Sequence, residues 1–596
     1  MFTHGRKSYD LNGTWKFNPD PYCRCRQQKW WLGEGPDSHA FPCFNITGLW
    51  DITVPGTWNA QIPELKWYFG DANYVRDFEL PEIPDDCEAF LCFDGIVYAA
   101  EIYLNGQKAG AHDWGYSPFQ IRVTDYLRER NRLFVLVENH LRADRVPGVR
   151  FDWNNDGGII NAVKLIFVPK IYIENFKVTT RLNGEVAEIT FEATVESRDR
   201  ASEANVTFEI PELSVRVSET ARPGERAVAS VRVPKNAVSL WCPESPKLYA
   251  VRVSTEYETL TDEIGLREIK TEGRKVLLNG KEIRLDGVCV HSEFEGTGRS
   301  ATIAGIRKMI TKIKELGANF VRCAHYPYAE IFGREMDKAG LLWWEEVPVY
   351  WLPNIAEPGM TRLAIGMMRE AILRDWNRAS LIIWSVSNEC AGDDAGNYPY
   401  WYKCVEMVRG LDPSRLVSCA DSGPRRTIKS GWTPEAGDAF DDKDIHGERW
   451  IPKHPDSFYD LFDILSGNVY VQGLGDGLVI YHKFAEMLRP YNKPLLISEF
   501  GSMSVEEGSE EYPETAFGHP ARHERILHEA YKSFRELPEI IGTTVWCLVD
   551  VRVPMHWRWY NQGKAVFRYG LLDEKWKEKR IFNVVKEELA TLKNCN

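Results

Sequence analysis

The sequence predicts three successive domains, namely two antiparallel β-sandwiches followed by a (β/α)₈ barrel. Up to about residue 268, polar and apolar residues alternate in short segments that Gly, Pro and Asn interrupt. Beyond that point, apolar runs of strand length alternate with amphipathic segments of helix length. We therefore expect domains at residues 1–170, 171–268 and 269–596.

Short alternating strands define both predicted sandwiches. In AEIYLNGQKAG (100–110) the pair Asn105-Gly106 is typical of a tight hairpin turn, which indicates an antiparallel sheet in the first domain. The second domain continues the alternation in IENFKVTTRL (173–182) and AEITFEATVES (187–197). Its length of roughly 100 residues fits an immunoglobulin-like sandwich.

Eight apolar runs predict the barrel strands. They are IRLDGV (283–288), NFVRCAH (319–325), LLWWEEV (341–347), LIIWSVSNE (381–389), LVSCADS (416–422), ILSGNVY (464–470), PLLISEFG (494–501) and GTTVWCLVD (542–550). Helical patterns such as AGIRKMITKIKELG (304–317) separate most of them, which matches the rhythm of a (β/α)₈ barrel. An open doubly wound sheet is the alternative, but no GxGxxG turn follows any run.

Composition excludes several classes of partner. The chain has 73 Lys and Arg against 86 Asp and Glu, and without a basic run we expect no nucleic-acid binding. No signal-like leader and no apolar stretch of membrane-spanning length occur, so we expect a cytoplasmic protein without membrane contact. The 13 cysteines are read mostly as buried thiols, since Cys23 and Cys25 are too close for a zinc knuckle.

Two glutamates end apolar runs of the predicted barrel. Glu389 ends the fourth run and Glu499 lies near the end of the seventh. Because the carboxyl ends of barrel strands form the active-site face, both carboxyl groups are expected at one rim. Glycoside hydrolysis requires such a pair, one to protonate the leaving oxygen and one to attack or to activate water. The alternative for either residue is a structural ion pair.

The segments around these glutamates resemble glycoside hydrolase family 2. RDWNRAS (374–380) with WSVSNE (384–389) is similar to the family's acid/base region, and SEFG (498–501) to its nucleophile segment. The resemblance implies that Glu389 is the general acid/base, that Asn388 binds the sugar 2-hydroxyl and that Glu499 is the nucleophile. It also implies retention of anomeric configuration, and acid/base chemistry of this kind needs no cofactor or metal.

The resemblance covers nearly the whole chain. LNGTWKF (11–17) and VPGTWN (54–59) resemble the family's jelly-roll, sugar-binding domain, and LWCPESPKLYAVRV (240–253) resembles its immunoglobulin-like domain. The implied fold is a jelly roll, an immunoglobulin-like sandwich and a TIM barrel. Because the additional sandwich domains often make subunit contacts in this family, we expect a homo-oligomer.

The same resemblance suggests residues that bind the sugar. FDWNNDGGIINAV (151–163) is similar to a jelly-roll loop that β-glucuronidases extend into the active site, where Asp152 would bind a sugar hydroxyl. His291 matches a pocket histidine, Asn468 fits the N-x-Y segment, and Tyr470 would donate a hydrogen bond to the nucleophile. Trp546 is a candidate sugar platform, with core packing as the alternative.

Glucuronidases of the family hold the sugar carboxylate with an N-x-K-G segment. This chain reads RWYNQGKAVF (558–567), so Asn561 and Lys564 match only with a one-residue insertion, and Arg558 could add a second cation. A buried carboxylate needs a charge-assisted partner, which Lys or Arg supplies. The alternative is that Lys564 is a solvated loop lysine.

These observations predict a retaining exo-β-glucuronidase. The alternatives are a β-galactosidase or another family 2 enzyme such as a β-galacturonidase, and, from a different class, an inactive carbohydrate-binding protein. The acidic segment AFDDKDIHGERW (439–450) could bind a divalent metal, but a substrate-facing or solvated loop is the preferred interpretation.

Overall fold

The computed structural model describes most of the 596 residues. The described residues are 5–32, 49–80, 82, 84, 86–197, 203–390, 397–422, 456–471, 477–506, 508–511, 513–555 and 565–594. Three of the predicted sugar-binding residues, Arg558, Asn561 and Lys564, lie outside them, as does the acidic segment 439–450. Among the helices described, none is long and apolar enough to cross a membrane.

Two antiparallel sheets form the first sandwich. One sheet has the order Ser8–Asp10, Val163–Pro169, Cys87–Phe93, Phe119–Arg122. The other has the order Trp50–Val54, Gly13–Asp20, Asp71–Glu79, Arg130–Glu138, Ala99–Leu104, Gln107–His112. Large apolar side chains such as Phe17, Trp58 and Leu91 fill the space between the sheets. The predicted hairpin is confirmed, because Leu104 pairs with Gln107 around Asn105 and Gly106, both of which have positive φ.

The second sandwich follows without a break in the alternating pattern. Its three-stranded sheet contains Ile171–Asn183, Val186–Ser197 and Arg226–Pro234. Its four-stranded sheet has the order Val215–Ala221, Ala204–Ile210, Tyr249–Ser254, Thr259–Ile264. Buried and partly exposed residues alternate along Val186–Ser197, as expected of a strand with one face on a core. A small sheet of Ile269–Glu272, Lys275–Leu278 and Lys281–Ile283 leads into the barrel.

Eight parallel strands form a closed barrel. In order they are Leu285–Val290, Phe320–Cys323, Leu342–Glu346, Leu381–Asn388, Leu416–Asp421, Leu465–Asn468, Leu495–Phe500 and Ile540–Val545. The main helices outside the strands are Ile303–Glu315, Glu330–Ala339, Pro358–Asp375, Tyr398–Leu411, Gly477–Leu488, Pro520–Glu536 and Arg580–Asn594, with the short helix Asp456–Asp460 before the sixth strand. Six of the eight predicted runs contain one of these strands and the first and last overlap one, so the predicted barrel is confirmed.

Closure of the barrel excludes the open-sheet alternative. The first strand pairs in parallel with both the second and the eighth, for example Gly287 with Phe320 and with Thr544. A Cβ atom at Gly287 would collide with the carbonyl oxygen of Phe320, so the close approach of these strands requires glycine there. All eight carboxyl ends consequently face one side of the barrel.

A segment of the first sandwich, residues 139–157, lies over that side of the barrel. Its side chains Val146, Phe151 and Trp153 belong to the same buried apolar cluster as the barrel strands and helices. Arg552, beyond the eighth strand, forms an ion pair with Asp156 and accepts a 2.7 Å hydrogen bond at its carbonyl oxygen from the Asn154 N–H. The first sandwich therefore contributes directly to the mouth of the barrel.

Candidate active site

Glu389 lies at the mouth of the barrel, directly after the fourth strand. Its φ of 45° turns the chain out of the strand, and its N–H donates to the carbonyl oxygen of Ala420 at 2.8 Å. The Trp351 indole N–H donates to Oε2 of Glu389 at 2.7 Å, and the Asn468 amide donates to Oε1 at 2.9 Å. Both donors are uncharged groups.

Glu499, within the seventh strand, receives donors of a different kind. One terminal nitrogen of Arg322 lies 2.6 Å from Oε1, and the Tyr470 hydroxyl donates to Oε2 at 2.8 Å. The carboxyl group is 7% exposed, so this ion pair is shielded from water. Glu499 is therefore a buried carboxylate held by a cation and a phenol.

Arg322 connects the ends of several strands. Its side chain is fully buried on the second strand. One terminal nitrogen contacts Glu499, and the other donates to Asn388 Oδ1 at 2.6 Å and lies 3.2 Å from both oxygens of Glu346. The guanidinium also lies over the Trp344 ring. Because a planar guanidinium fixes its donors in one plane, Arg322 sets the relative positions of these side chains.

A second set of contacts runs between the two asparagines. Asn468 Nδ2 lies 3.1 Å from Asn388 Oδ1 and also donates to Glu389, while Asn468 Oδ1 accepts from Arg322 and from the Ser498 hydroxyl. The Nδ2 of Asn388 is buried and has no hydrogen-bond partner. An unsatisfied buried donor is costly, and a sugar hydroxyl at this position would satisfy it.

Burial dominates the electrostatics of Glu499. It raises the pKa of Glu499 to about 8 against the opposing charge of Arg322, and the negative charge of Glu389 adds to the rise. The two carboxyl groups therefore interact through their charges as well as lying at one rim. Glycoside hydrolysis uses two such carboxyl groups, one as an acid and one as a nucleophile or base.

Glu346 behaves differently because Arg322 and His325 both face it. Although burial acts to raise its pKa, the charge of Arg322 and the hydrogen bond with His325 keep the pKa of Glu346 below its ordinary value. His325 Nδ1 lies 2.7 Å from Glu346, and the Trp344 indole N–H donates to the same carboxylate at 3.1 Å. Glu346 is thus a fixed anion that anchors Arg322 beneath the two glutamates.

The walls of the pocket contain the remaining predicted residues that the structure describes. Trp546 stacks on His325 with ring centroids 5.2 Å apart, and His291 meets its ring edge-on at the same distance. Burial holds the pKa of His291 well below its ordinary value, so the ring is neutral, and its buried Nε2 has no partner. Asp152 interacts with the hydroxyl of Tyr350, whose ring contacts His325, and the buried Oδ1 of Asp152 has no hydrogen-bond partner.

The structure thus brings together the eight predicted site residues that it describes. They are Asp152, His291, Asn388, Glu389, Asn468, Tyr470, Glu499 and Trp546. Their individual roles remain predictions. Sequence analysis did not identify Arg322, Glu346 and Trp351 as site residues. Arg322 and Glu346 could have been recognised, since both are charged residues within apolar barrel strands, whereas Trp351 lies in a loop and has no such signal.

Comparison with known protein families covers most of the chain. Residues 269–534 match the TIM barrel domain of glycosyl hydrolases family 2, residues 8–169 match its sugar binding domain, and residues 171–267 match a third model of the same family. The three matches follow one another without overlap.

Individual relatives align over similar lengths. A β-glucuronidase of Paenibacillus borealis is 24% identical over 596 residues, which cover 91% of each chain. A β-galactosidase of Thermoanaerobacterium thermosulfurigenes is 25% identical over 592 residues, 95% of this chain and 74% of that protein. The crystal structure of a β-galacturonidase of Eisenbergiella tayi bound to galacturonate superposes with a TM-score of 0.83 at 24% identity, covering 98% of this chain and 97% of that one.

The three matched models follow the order of the three observed domains. Paired glutamates lie at the carboxyl ends of the fourth and seventh barrel strands, as the chemistry of this family requires. This chain belongs to glycosyl hydrolase family 2.

Proposed function

We propose that this chain is a retaining exo-β-glucuronidase. The observation that carries the proposal is the bonding of two glutamates at one rim, one of them to a cation. Glu499 faces the Arg322 cation and the Tyr470 hydroxyl, and the contacts of Glu389 include an indole N–H and an amide. Because a cation favours an ionised neighbour, we assign Glu499 as the nucleophile and Glu389 as the general acid.

This assignment fits a double displacement. In the first step an oxygen of Glu499 attacks the anomeric carbon, the glycosidic C–O bond breaks, and Glu389 gives its proton to the leaving oxygen. In the second step Glu389 takes a proton from water, whose oxygen replaces Glu499 at the anomeric carbon. Two attacks on the same carbon return the original anomeric configuration.

The unpartnered polar atoms around the glutamates fit a sugar ring. Asn388 Nδ2 can donate, Asp152 Oδ1 can accept, and His291 Nε2 also lacks a protein partner. Trp546 supplies an aromatic surface beside His291 and His325, with 5% of its area exposed. A ring hydroxyl at each atom would remove the cost of leaving it unsatisfied.

The support for a uronic acid as the sugar comes from the sequence and from a relative. Both terminal nitrogens of Arg322 are occupied by Glu346, Asn388 and Glu499, so a sugar carboxylate needs another cation. Sequence analysis points to Lys564 and Arg558, which lie outside the described residues. The relative of Paenibacillus borealis named β-glucuronidase supports this substrate class.

A substrate comparison tests the sugar. We would measure kcat/KM for p-nitrophenyl β-glucuronide, β-galacturonide and β-galactoside with the parent enzyme, Lys564→Ala and the exposed control Lys575→Ala. We expect glucuronide to be preferred and its kcat/KM to fall about 10–150-fold in Lys564→Ala, as for loss of a hydrogen bond to a charged group. A preference for galactoside, or equal rates in both variants, would reject the glucuronide proposal.

A second variant tests the chemistry separately from the sugar. Glu499→Gln keeps the size and the hydrogen-bonding oxygen of the side chain but removes the attacking carboxylate. Turnover of every substrate in the comparison should fall by several orders of magnitude. Near-normal activity of Glu499→Gln would exclude the double displacement, whatever the preferred sugar.

A further inference from the structure

A group of three side chains on the first sandwich, remote in sequence from the glutamates, could hold a metal ion. Cys23 precedes the short helix Arg24–Gln28, Asp71 begins the strand Asp71–Glu79, and His140 lies two residues beyond the strand Arg130–Glu138. The thiol sulfur, a carboxylate oxygen and a ring nitrogen all lie within 4.8 Å of one another. Among the described residues, no other three His, Cys or carboxylate side chains come together with that spacing.

The distances match the edges of a tetrahedral site. Cys23 Sγ lies 3.5 Å from His140 Nε2, and Asp71 Oδ1 lies 3.1 Å from the same nitrogen. Zinc bonds of about 2.3 Å to sulfur and about 2.0–2.2 Å to nitrogen and oxygen, set at tetrahedral angles, separate S from N by roughly 3.5 Å and N from O by roughly 3.3 Å. One ion can therefore reach all three atoms with only small side-chain adjustments.

The carboxylate of Asp71 supplies an independent observation. Asp71 is 1% exposed, and its Oδ2 accepts a 2.7 Å hydrogen bond from Arg26. Its Oδ1 is buried and makes no hydrogen bond of regular geometry, although His140 Nε2 is near. One ring N–H cannot serve both this oxygen and the sulfur of Cys23, so an unsatisfied acceptor is directed into the group.

We propose that Cys23, Asp71 and His140 form a Zn²⁺ site whose fourth position is open to water. A thiolate and a carboxylate neutralise the charge of the ion, and a mixed sulfur, nitrogen and oxygen ligand set suits zinc. Cys23 and His140 are only partly buried, which leaves a path for the ion and space for a water ligand. The site is separate from the glycosidase proposal and does not depend on it.

Sequence analysis missed this group because its members are far apart along the chain. Cys23 and His140 are separated by 117 positions, and Cys23 was set aside as too close to Cys25 for a zinc knuckle. The paired strands bring Asp71 opposite Glu138 and thereby place His140 near Asp71.

Binding would constrain the start of segment 139–157. Asn139, next to His140, donates its backbone N–H to Gly70 at 3.0 Å and its side-chain amide to the Asn155 carbonyl oxygen at 2.8 Å. An ion held by His140 thus fastens the end of the segment that carries Asp152. On binding, the S–H bond of Cys23 breaks, a sulfur–zinc bond forms and the proton passes to solvent.

Cobalt titration of the chelator-treated, full-length protein tests the site. Co²⁺ bound by a thiolate gives a charge-transfer absorption, which we expect to saturate at one equivalent and to disappear when Zn²⁺ is added. Cys23→Ser should abolish the absorption, and His140→Ala should weaken binding by more than the roughly 10–100-fold that loss of a supporting hydrogen bond costs. Cys87→Ser, another partly buried cysteine, should titrate like the parent.

Two outcomes would overturn the proposal, namely no absorption at one equivalent in the parent, or an unchanged absorption in Cys23→Ser. Circular dichroism of each variant shows whether it is folded. Calorimetry in buffers of different ionisation enthalpy gives a second readout, since zinc binding displaces the S–H proton of Cys23 and the parent should release that proton to the buffer.

Discussion

The pocket is built from two regions that differ in how completely their polar groups are bonded. The floor consists of side chains from five barrel strands, and most polar atoms there have a partner, as in the contacts of Arg322 with Glu346 and Glu499, with Asn388 Nδ2 and Arg322 Nε as exceptions. The wall is segment 139–157 of the first sandwich, where Asp152 keeps one oxygen without a partner. The floor therefore fixes the reacting groups, and the wall leaves capacity for substrate.

The largest effect should come from breaking the floor. Arg322→Met leaves Glu346 and Glu499 buried without their shared cation, which should destabilise the barrel by about 3–5 kcal/mol. Loss of the charge on Glu499 should also lower kcat by roughly 10²–10³-fold in the protein that remains folded. Thermal unfolding and steady-state kinetics measure the two losses separately.

Arg415→Met is the matched control for that prediction. Arg415 is equally buried and pairs with Asp412, but it donates to the carbonyl oxygen of Leu381, at the opposite end of the fourth strand. Its loss should cost comparable stability and leave kcat within a few-fold of the parent. If Arg322→Met kept its kcat as well, the floor would not be what positions the glutamates.

Removing charge from the wall should have a smaller effect. Asp152→Asn keeps the shape of the side chain but weakens its hydrogen bond to a sugar hydroxyl, so kcat/KM should fall about 10–100-fold. Thermal stability should barely change, in contrast to Arg322→Met. The exposed Asp144→Asn, in the same segment, should behave as the parent, and an unaltered kcat/KM in Asp152→Asn would remove Asp152 from the site.

The dependence of kcat/KM on pH tests how a charge in the wall affects the ionisation of Glu499 in the floor. Burial raises the pKa of Glu499 to about 8, with the charge of Glu389 contributing, and the nucleophile must be ionised to attack. The kcat/KM should therefore rise with increasing pH up to about pH 8. The charge of Asp152 also contributes to the raised pKa, so Asp152→Asn should move this limb of the profile to lower pH, and an unmoved limb would contradict the coupling.

The smallest effect should follow loss of one neutral donor. Trp351→Phe removes the 2.7 Å hydrogen bond to Glu389, worth about 1 kcal/mol, so kcat should fall about five-fold. The loss should be greater for poor leaving groups, because Glu389 protonates the leaving oxygen. Trp376→Phe loses an indole hydrogen bond to the Phe176 carbonyl oxygen away from the pocket and should leave the rate unchanged at every leaving group.

The features that the sequence could predict are those that depend on regular strands and helices. The barrel strands could be located because each is an apolar run of strand length, and the rule that strand ends meet at one rim placed Glu389 and Glu499 together. Resemblance to a known family added His291 and Tyr470. The fold class is confirmed, whereas the exact domain boundaries and the roles of the site residues stay predictions.

Contacts between distant segments account for what the sequence could not predict. The Trp351 indole donates to Glu389, and Trp351 is a loop residue whose φ of 52° no local sequence pattern predicts. Cys23, Asp71 and His140 converge only through strand pairing. Arg378 forms ion pairs with Asp262 of the second sandwich and with Asp337. Its partners likewise come from other parts of the chain.

The position of Asp152 also links ligand binding to the assembly of the molecule. A sugar bonded at once to Asp152 and to the barrel acts as a noncovalent crosslink between two domains. At a free ligand concentration of 100 times Kd, such a ligand favours the docked arrangement by about 2.7 kcal/mol over one that cannot bind it. Occupancy of the pocket should therefore slow proteolytic cleavage near residues 139–157, so that a protease could report whether substrate is bound.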